Sequence, residues 1–244
     1  MAEKYRYIGQ IVPRRDAVDI VTGAAEFTAD RKFPGLLHGK VKRSPHAHAK
    51  IKSIDKSKAE ALPGVKAVLT WQDIPDFRGG TPRNVRILDS KVRYVGDAVA
   101  LVAAVTEEIA EEALDLIDVE YEVLPAVFDL DSALEPGAPA IYEEYPDNIL
   151  PGGTIIYGPN CLKGVQRGDV EKGFAEADVI TEGTFGYENI PSAIPPESVG
   201  AVAQWQDPNK VTIWGTSQAP YMDKVTLFHV FNRQVDIRSI GSHV

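Results

Sequence analysis

The sequence predicts an α+β fold, and three stretches carry that prediction. Residues 95–105 form an apolar run rich in β-branched side chains, interrupted only by Gly96 and Asp97, which is the composition of a buried strand. Thr106 then offers a hydroxyl as N-cap, with Glu107 and Glu108 in the first turn, where the helix dipole favours negative charge. Ile109, Ala113, Leu116 and Ile117 recur at helical spacing. Residues 119–123 alternate like a half-buried strand until Leu124-Pro125 stops it. The whole of 92–124 therefore reads as a β-α-β unit. In the second stretch, strands over 199–205 and 211–214 form a hairpin across Gln206-Asp207-Pro208-Asn209. In the third, Tyr221, Val225, Phe228 and Phe231 mark one face of a helix, and a final strand over 235–240 follows.

The remaining elements are shorter. Residues 1–15 are polar and read as an extended arm. Pro34-Gly35 is a turn dipeptide before a strand over 36–41. Ser44 with Pro45 fixes the next turn, and His46 and His48 follow two apart. Two histidines on one strand face could ligate a metal, but no third ligand of the expected type lies nearby, so they read as packing and hydrogen-bonding residues. Asp55 caps a short helix that Pro63-Gly64 ends, and a strand over 65–69 leads to Thr70 and Asp73, which cap a further turn. Residues 75–90 are loop-like. Pro136, Pro139, Pro146, Pro151 and Pro159 mark a linker. A capped helix over 168–178 and a strand over 179–187 precede the hairpin.

A length of 244 residues suits one or two domains. The net charge of −9 argues against a nucleic-acid partner, and the one basic cluster, Lys40, Lys42 and Arg43, is too short to be a footprint. No apolar run reaches the length of a membrane span, so no membrane partner is expected. Cys161 is the only cysteine; it can form neither an internal disulfide nor the thiolate set of an iron–sulfur cluster. A reduced, cytoplasmic setting is expected, with any electron carriers in something the chain binds. The last strand has no outlet before Val244, which suggests part of a larger assembly.

Six motifs then occur in order: DAVDIVTGAAEFTAD (16–30), PGLLHGKVKRSPHAHAKI (34–51), LPGVKAVLT (62–70), VRYVGDAVALVAA (92–104), GDVEKGFAEADVITEGTF (168–185) and WGTSQAPY (214–221). Together they resemble the molybdenum-binding subunit of the xanthine dehydrogenase and aldehyde oxidase family, which includes carbon monoxide dehydrogenase large chains. The resemblance implies an α/β hammerhead domain over 1–133, a linker over 134–164 and an incomplete α+β molybdopterin-binding domain over 165–244. It implies one part of a molybdenum hydroxylase that oxidises a carbon centre of an aldehyde or N-heterocycle with oxygen from water. The expected cofactor is a molybdopterin-type molybdenum cofactor, with iron–sulfur clusters and FAD in partner chains.

By the same resemblance, Gln218 matches the glutamine whose amide approaches an oxygen ligand of molybdenum, where a neutral donor orients an oxo group without adding charge. Glu197 matches a glutamate on the substrate side, although Pro191 and Ala193 stand where the family usually carries glutamine and histidine. The family's GGxFG loop and catalytic glutamate lie beyond Val244. No catalytic residue and no complete cofactor site are therefore expected in these residues. The implied partners are a second molybdopterin-binding polypeptide, which residues 184–244 would meet through an apolar interface, an iron–sulfur subunit and a flavin subunit. The alternative is a non-catalytic assembly or interaction subunit that kept the scaffold. An adjacent reading frame opening with a glycine-rich loop favours the enzyme.

Overall fold

A computed structural model describes residues 7–76, 78–79, 85–149, 168–186, 197–231 and 234–241. In chain order its helices are α1 (Ala17–Thr22), α2 (Ser57–Ala61), α3 (Glu107–Asp115), α4 (Leu130–Leu134), α5 (Val170–Glu176) and α6 (Pro220–Val230). Its strands are β1 (His38–Arg43), β2 (Ala49–Asp55), β3 (Val65–Thr70), β4 (Arg78–Gly79), β5 (Val85–Arg86), β6 (Lys91–Val92), β7 (Ala98–Ala104), β8 (Asp118–Val123), β9 (Ala201–Asp207), β10 (Lys210–Gly215) and β11 (Asp236–Gly241). The fold is α+β, and contacts divide it into two units: Gly35–Ser192, and Met1–Pro34 with Ala193–Val244.

The larger unit is built around β7. It pairs antiparallel with β1 on one edge and β3 on the other, so both its hydrogen-bonding edges are occupied. Its even-numbered face (Ala100, Val102, Ala104) joins Ala59, Val68, Ala110, Ala113 and Ile117 in one core. Val99 on the other face joins Ala49, Ile51 and Val92 of the second sheet, β6-β2-β8. The small side chains of β7 and α3 let helix and sheet approach closely. Thr106 caps α3 as expected, its hydroxyl accepting from the Ile109 amide at 3.3 Å.

The sheet order corrects the β-α-β reading of 92–124. These residues do contain strand, capped helix and strand, but β7 and β8 lie in different sheets. With both edges of β7 filled, β8 pairs antiparallel with β2 instead. The parallel strand–helix–strand unit is β10-α6-β11.

The basic cluster is consumed within the fold. Lys40 bonds Glu107 and Glu111, which push its pKa up to about 12; Lys42 donates to the Leu114 carbonyl and Arg43 to that of Gly96. The histidines act as packing residues. His46 meets the Tyr121 ring edge-on at 4.9 Å, and His48, 4% exposed, sets Nδ1 2.5 Å from the Pro125 carbonyl. A carbonyl only accepts, so Nδ1 carries the proton. No group of three potential metal ligands occurs among the described residues.

The expected linker begins as ordered structure. Asn148, at φ +58°, donates to the carbonyls of Ala133 and Pro139 and accepts from the Ile141 amide, closing 133–148 into a strap. Lys91 and Arg93 reach from the edge strand to Glu143 and the Ile141 carbonyl. Residues 150–164 lie outside the described residues. The contact division therefore departs from the sequence division of 1–133, 134–164 and 165–244 in two respects: Met1–Pro34 groups with Ala193–Val244, and 134–192 groups with the larger unit.

In the smaller unit, β10 is central between antiparallel β9 and parallel β11. Val211, Val235 and Ile237 form its core with Ile213, Leu227 and Phe231. The buried face of α6 thus runs through 227–231. Tyr221, expected on it, is 75% exposed. Leu227, Val230 and Phe231, in the last turn and at its end, carry the burial of the helix. The predicted strand over 179–187 is not paired among its described residues, 179–186, and no strand of the described residues pairs with it. Tyr187 lies outside the described residues.

Two outcomes are expected. Gly64 has φ +98°, and a Cβ there would lie 2.8 Å from Ile109 Cδ1. Gly64→Ala should cost about 1–3 kcal/mol in urea unfolding. Asp73 accepts from Lys56 Nζ at 2.8 Å and from the Thr70 amide and hydroxyl, which together hold its carboxyl at about 2. The folded carboxyl takes up its proton less readily than the unfolded one, so stability rises with pH from about 2 to about 4. The advantage of the native chain over Asp73→Asn in urea midpoint should fade as pH falls through that window.

Candidate functional site

The site lies in the smaller unit, where parallel strands β10 and β11 end side by side at the Gly215–Gly241 pair. Beyond Gly215 the chain turns through Thr216, Ser217, Gln218 and Ala219 into α6, with Pro220 in its first turn, where a missing amide proton is no loss. Ser217 Oγ accepts from the Ala219 amide at 3.0 Å and fixes the turn. Gln218 is exposed at this edge. In sheets with parallel strands, the crevice outside the strands' carboxyl ends is where ligands bind. Gly241 keeps the edge tight: a Cβ there would lie 2.9 Å from the Ser217 carbonyl and 3.0 Å from Pro220 Cγ.

Thr216 ties this turn to the segment that enters β9. Its amide donates to the Gly200 carbonyl at 3.0 Å, its hydroxyl donates to the Ser198 carbonyl at 3.1 Å, and that hydroxyl accepts from the Gly200 amide at 3.3 Å. The same segment begins at Glu197, which is 7% exposed and accepts from the Thr28 amide at 2.6 Å. Thr28 opens a 3-10 turn, Thr28–Asp30, closed by the Phe27 amide donating to Asp30. Phe33 packs tilted against Trp214, ring centroids 4.9 Å apart, and the Arg31 guanidinium stands 5.9 Å from the Trp214 ring.

The structure thus sets Glu197 and Gln218 at opposite ends of one bonded path through Thr216. Glu197, expected on the substrate side, has one carboxylate oxygen held by a backbone amide. The altered stretch at 191–196 lies outside the described residues. Sequence reading passes over Thr28, Thr216 and Gly241. Only Gly241, a glycine closing an alternating strand, carries a local signal.

A polar cleft of about 230 Å³ in the larger unit is a weaker candidate. Its charges answer one another: Arg93 pairs with Asp89 at 2.8 Å and lies over the Tyr142 ring at 4.7 Å, while Lys91 pairs with Glu143 at 2.8 Å. Burial raises the Asp89 pKa, but the bond and charge of Arg93, with the charge of Arg86, outweigh it and keep the carboxyl below its ordinary range.

Residues 22–125 match the family model described as "Aldehyde oxidase and xanthine dehydrogenase, a/b hammerhead domain", and residues 155–242 match that of the "Molybdopterin cofactor-binding domain". The chain belongs to the xanthine dehydrogenase and aldehyde oxidase family. It is 38% identical to a probable xanthine dehydrogenase subunit of Bacillus subtilis, over 90% of this chain and 28% of that protein. It is 34% identical to the nicotinate dehydrogenase large molybdopterin subunit of Eubacterium barkeri, over 92% of this chain and 50% of that one. The aldehyde oxidoreductase of Desulfovibrio gigas superposes with a TM-score of 0.74 at 28% identity, covering 94% of this chain and 26% of that one. The chain spans half or less of the length of these relatives.

The β10-α6-β11 edge lies within the residues that match the molybdopterin cofactor-binding domain. Gly241 brings the end of β11 against the turn, and Gln218, exposed there, carries a neutral amide donor. We predict that Gly241→Ala, which drives a methyl group into the Ser217 carbonyl, destabilises the smaller unit by about 1–3 kcal/mol in urea unfolding.

Proposed function

We propose that this chain is part of a molybdenum hydroxylase that oxidises a carbon centre of an aldehyde or N-heterocycle with water as the oxygen source. The chain supplies the hammerhead scaffold and one wall of the cofactor site. The observation that carries this reading is Gln218, exposed on a bonded turn at the carboxyl ends of two parallel strands, within residues that match the family's cofactor-binding domain. When bound, the molybdenum cofactor supplies the two-electron oxidation. Gln218 would offer the cofactor an amide N–H, a neutral donor that leaves the charge of the site unchanged. Thr216 and Ser217 hold the backbone that carries it.

The site is completed by a second molybdopterin-binding polypeptide or segment, and electrons leave through iron–sulfur and flavin subunits. The names of relatives, a large molybdopterin subunit and a dehydrogenase large chain among them, support an assembly of several subunits. A cytoplasmic hetero-oligomer is the setting that suits one cysteine and no described helix long and apolar enough to cross a membrane.

The test is purification of the complex from its native host, with metal analysis and assays on aldehydes and N-heterocycles. Stoichiometric molybdenum is expected. Gln218→Ala should retain the metal and lose activity by about 10–100-fold. A complex without molybdenum or oxidase activity would instead identify an assembly subunit.

A further inference from the structure

We propose that Glu197 is a positioning residue for Gln218, acting through Thr216; this rests on the reading of Gln218 given above. A buried carboxylate is costly unless hydrogen-bonded. Glu197 is 7% exposed, and its Oε1 takes the amide of Thr28, a residue 169 positions away, at 2.6 Å. Bonds from a backbone amide to an ionised carboxylate are among the stronger ones in proteins. The pair therefore fixes the entry to β9 against the Thr28–Asp30 turn.

Residues 198–200 precede the β9 ladder, which begins at Ala201 opposite Gly215. They are held by Thr216, through two bonds from its hydroxyl and one from its amide. Thr216 stands two residues from Gln218, and Ser217 Oγ carries the constraint on to Ala219. Phe33 and Arg31, just after the Thr28 turn, also bear on Trp214 in the strand leading to Gln218. One short segment thus meets both arms of the path. Release of Glu197 frees 198–200, and with it the turn that aims Gln218.

The test has two arms. In the 244-residue chain, amide hydrogen exchange is compared for Glu197→Ala, Glu197→Gln and Thr216→Val. Protection at Gly200, Thr216 and Ala219 should fall about tenfold or more in Glu197→Ala and Thr216→Val, with β7 unchanged. Glu197→Gln keeps an oxygen for the Thr28 amide and should stay within about threefold of the native chain. Unchanged protection at 216–219 in Glu197→Ala overturns the proposal. If that variant does not fold, Glu197→Asp, whose shorter side chain draws the carboxylate away from the Thr28 amide, carries the same test.

In the assembled enzyme, Glu197→Ala should lower kcat on its own yet add less than about twofold to Gln218→Ala. Equal factors in both backgrounds would show a general structural role and overturn the proposal. A Gln218→Ala enzyme with native kcat would overturn the reading of Gln218 itself. The exchange measurements would then decide alone whether Glu197 holds the turn.

Discussion

The larger unit depends on a strand that has no free side. β7 has a neighbour on each edge and a hydrophobic core on each face. Such a strand can carry neither charge nor bulk, and its sequence, AVALVAA, carries neither. Everything around it is set by what remains available. β8 has to find β2, α3 has to present alanines, and Lys40 and Lys42 of the neighbouring strand reach past the core to bond the helix that covers the sheet.

The smaller unit follows the same rule with a different outcome. β10 is also central, but its partners run in opposite senses, β9 antiparallel and β11 parallel. The parallel pairing needs a crossover, and α6 supplies it. Parallel neighbours bring two carboxyl ends to the same edge, and the chain leaves that edge through the turn carrying Gln218. The candidate site is thus a geometric consequence of one pairing choice, sharpened by a glycine where any side chain would strike the turn.

Local chemistry is legible in the sequence, and long-range pairing is not. The Thr106 cap, the Asp73 turn and the hairpin around Pro208 are each decided by a few adjacent residues, and each can be read from them. The sheet assignment of β7 and β8 depends on which edges are already occupied, which no window of sequence contains. The buried face of α6 depends on which of its turns meets the sheet, so helical spacing alone puts Tyr221 on a face that the fold leaves in solvent. Gln218 stands out through a family motif rather than through its surroundings. Thr28, the partner of Glu197, lies 169 residues away, and no spacing rule reaches that far.

The strap over 133–148 has a bearing on colloidal behaviour. β6 lies at the rim of its sheet, and a bare sheet rim is a template on which another chain can lay a strand. The side chains of β6 and its flank instead grip residues 140–143, with Arg93 stacked on Tyr142 and Lys91 on the Ala140 carbonyl and Glu143. The rim is occupied from within, by charged groups that favour water on their outer side. A piece of the protein cut before the strap would bare that rim. A freshly synthesised chain is guarded at β6 against its neighbours only once residue 148 has closed the loop.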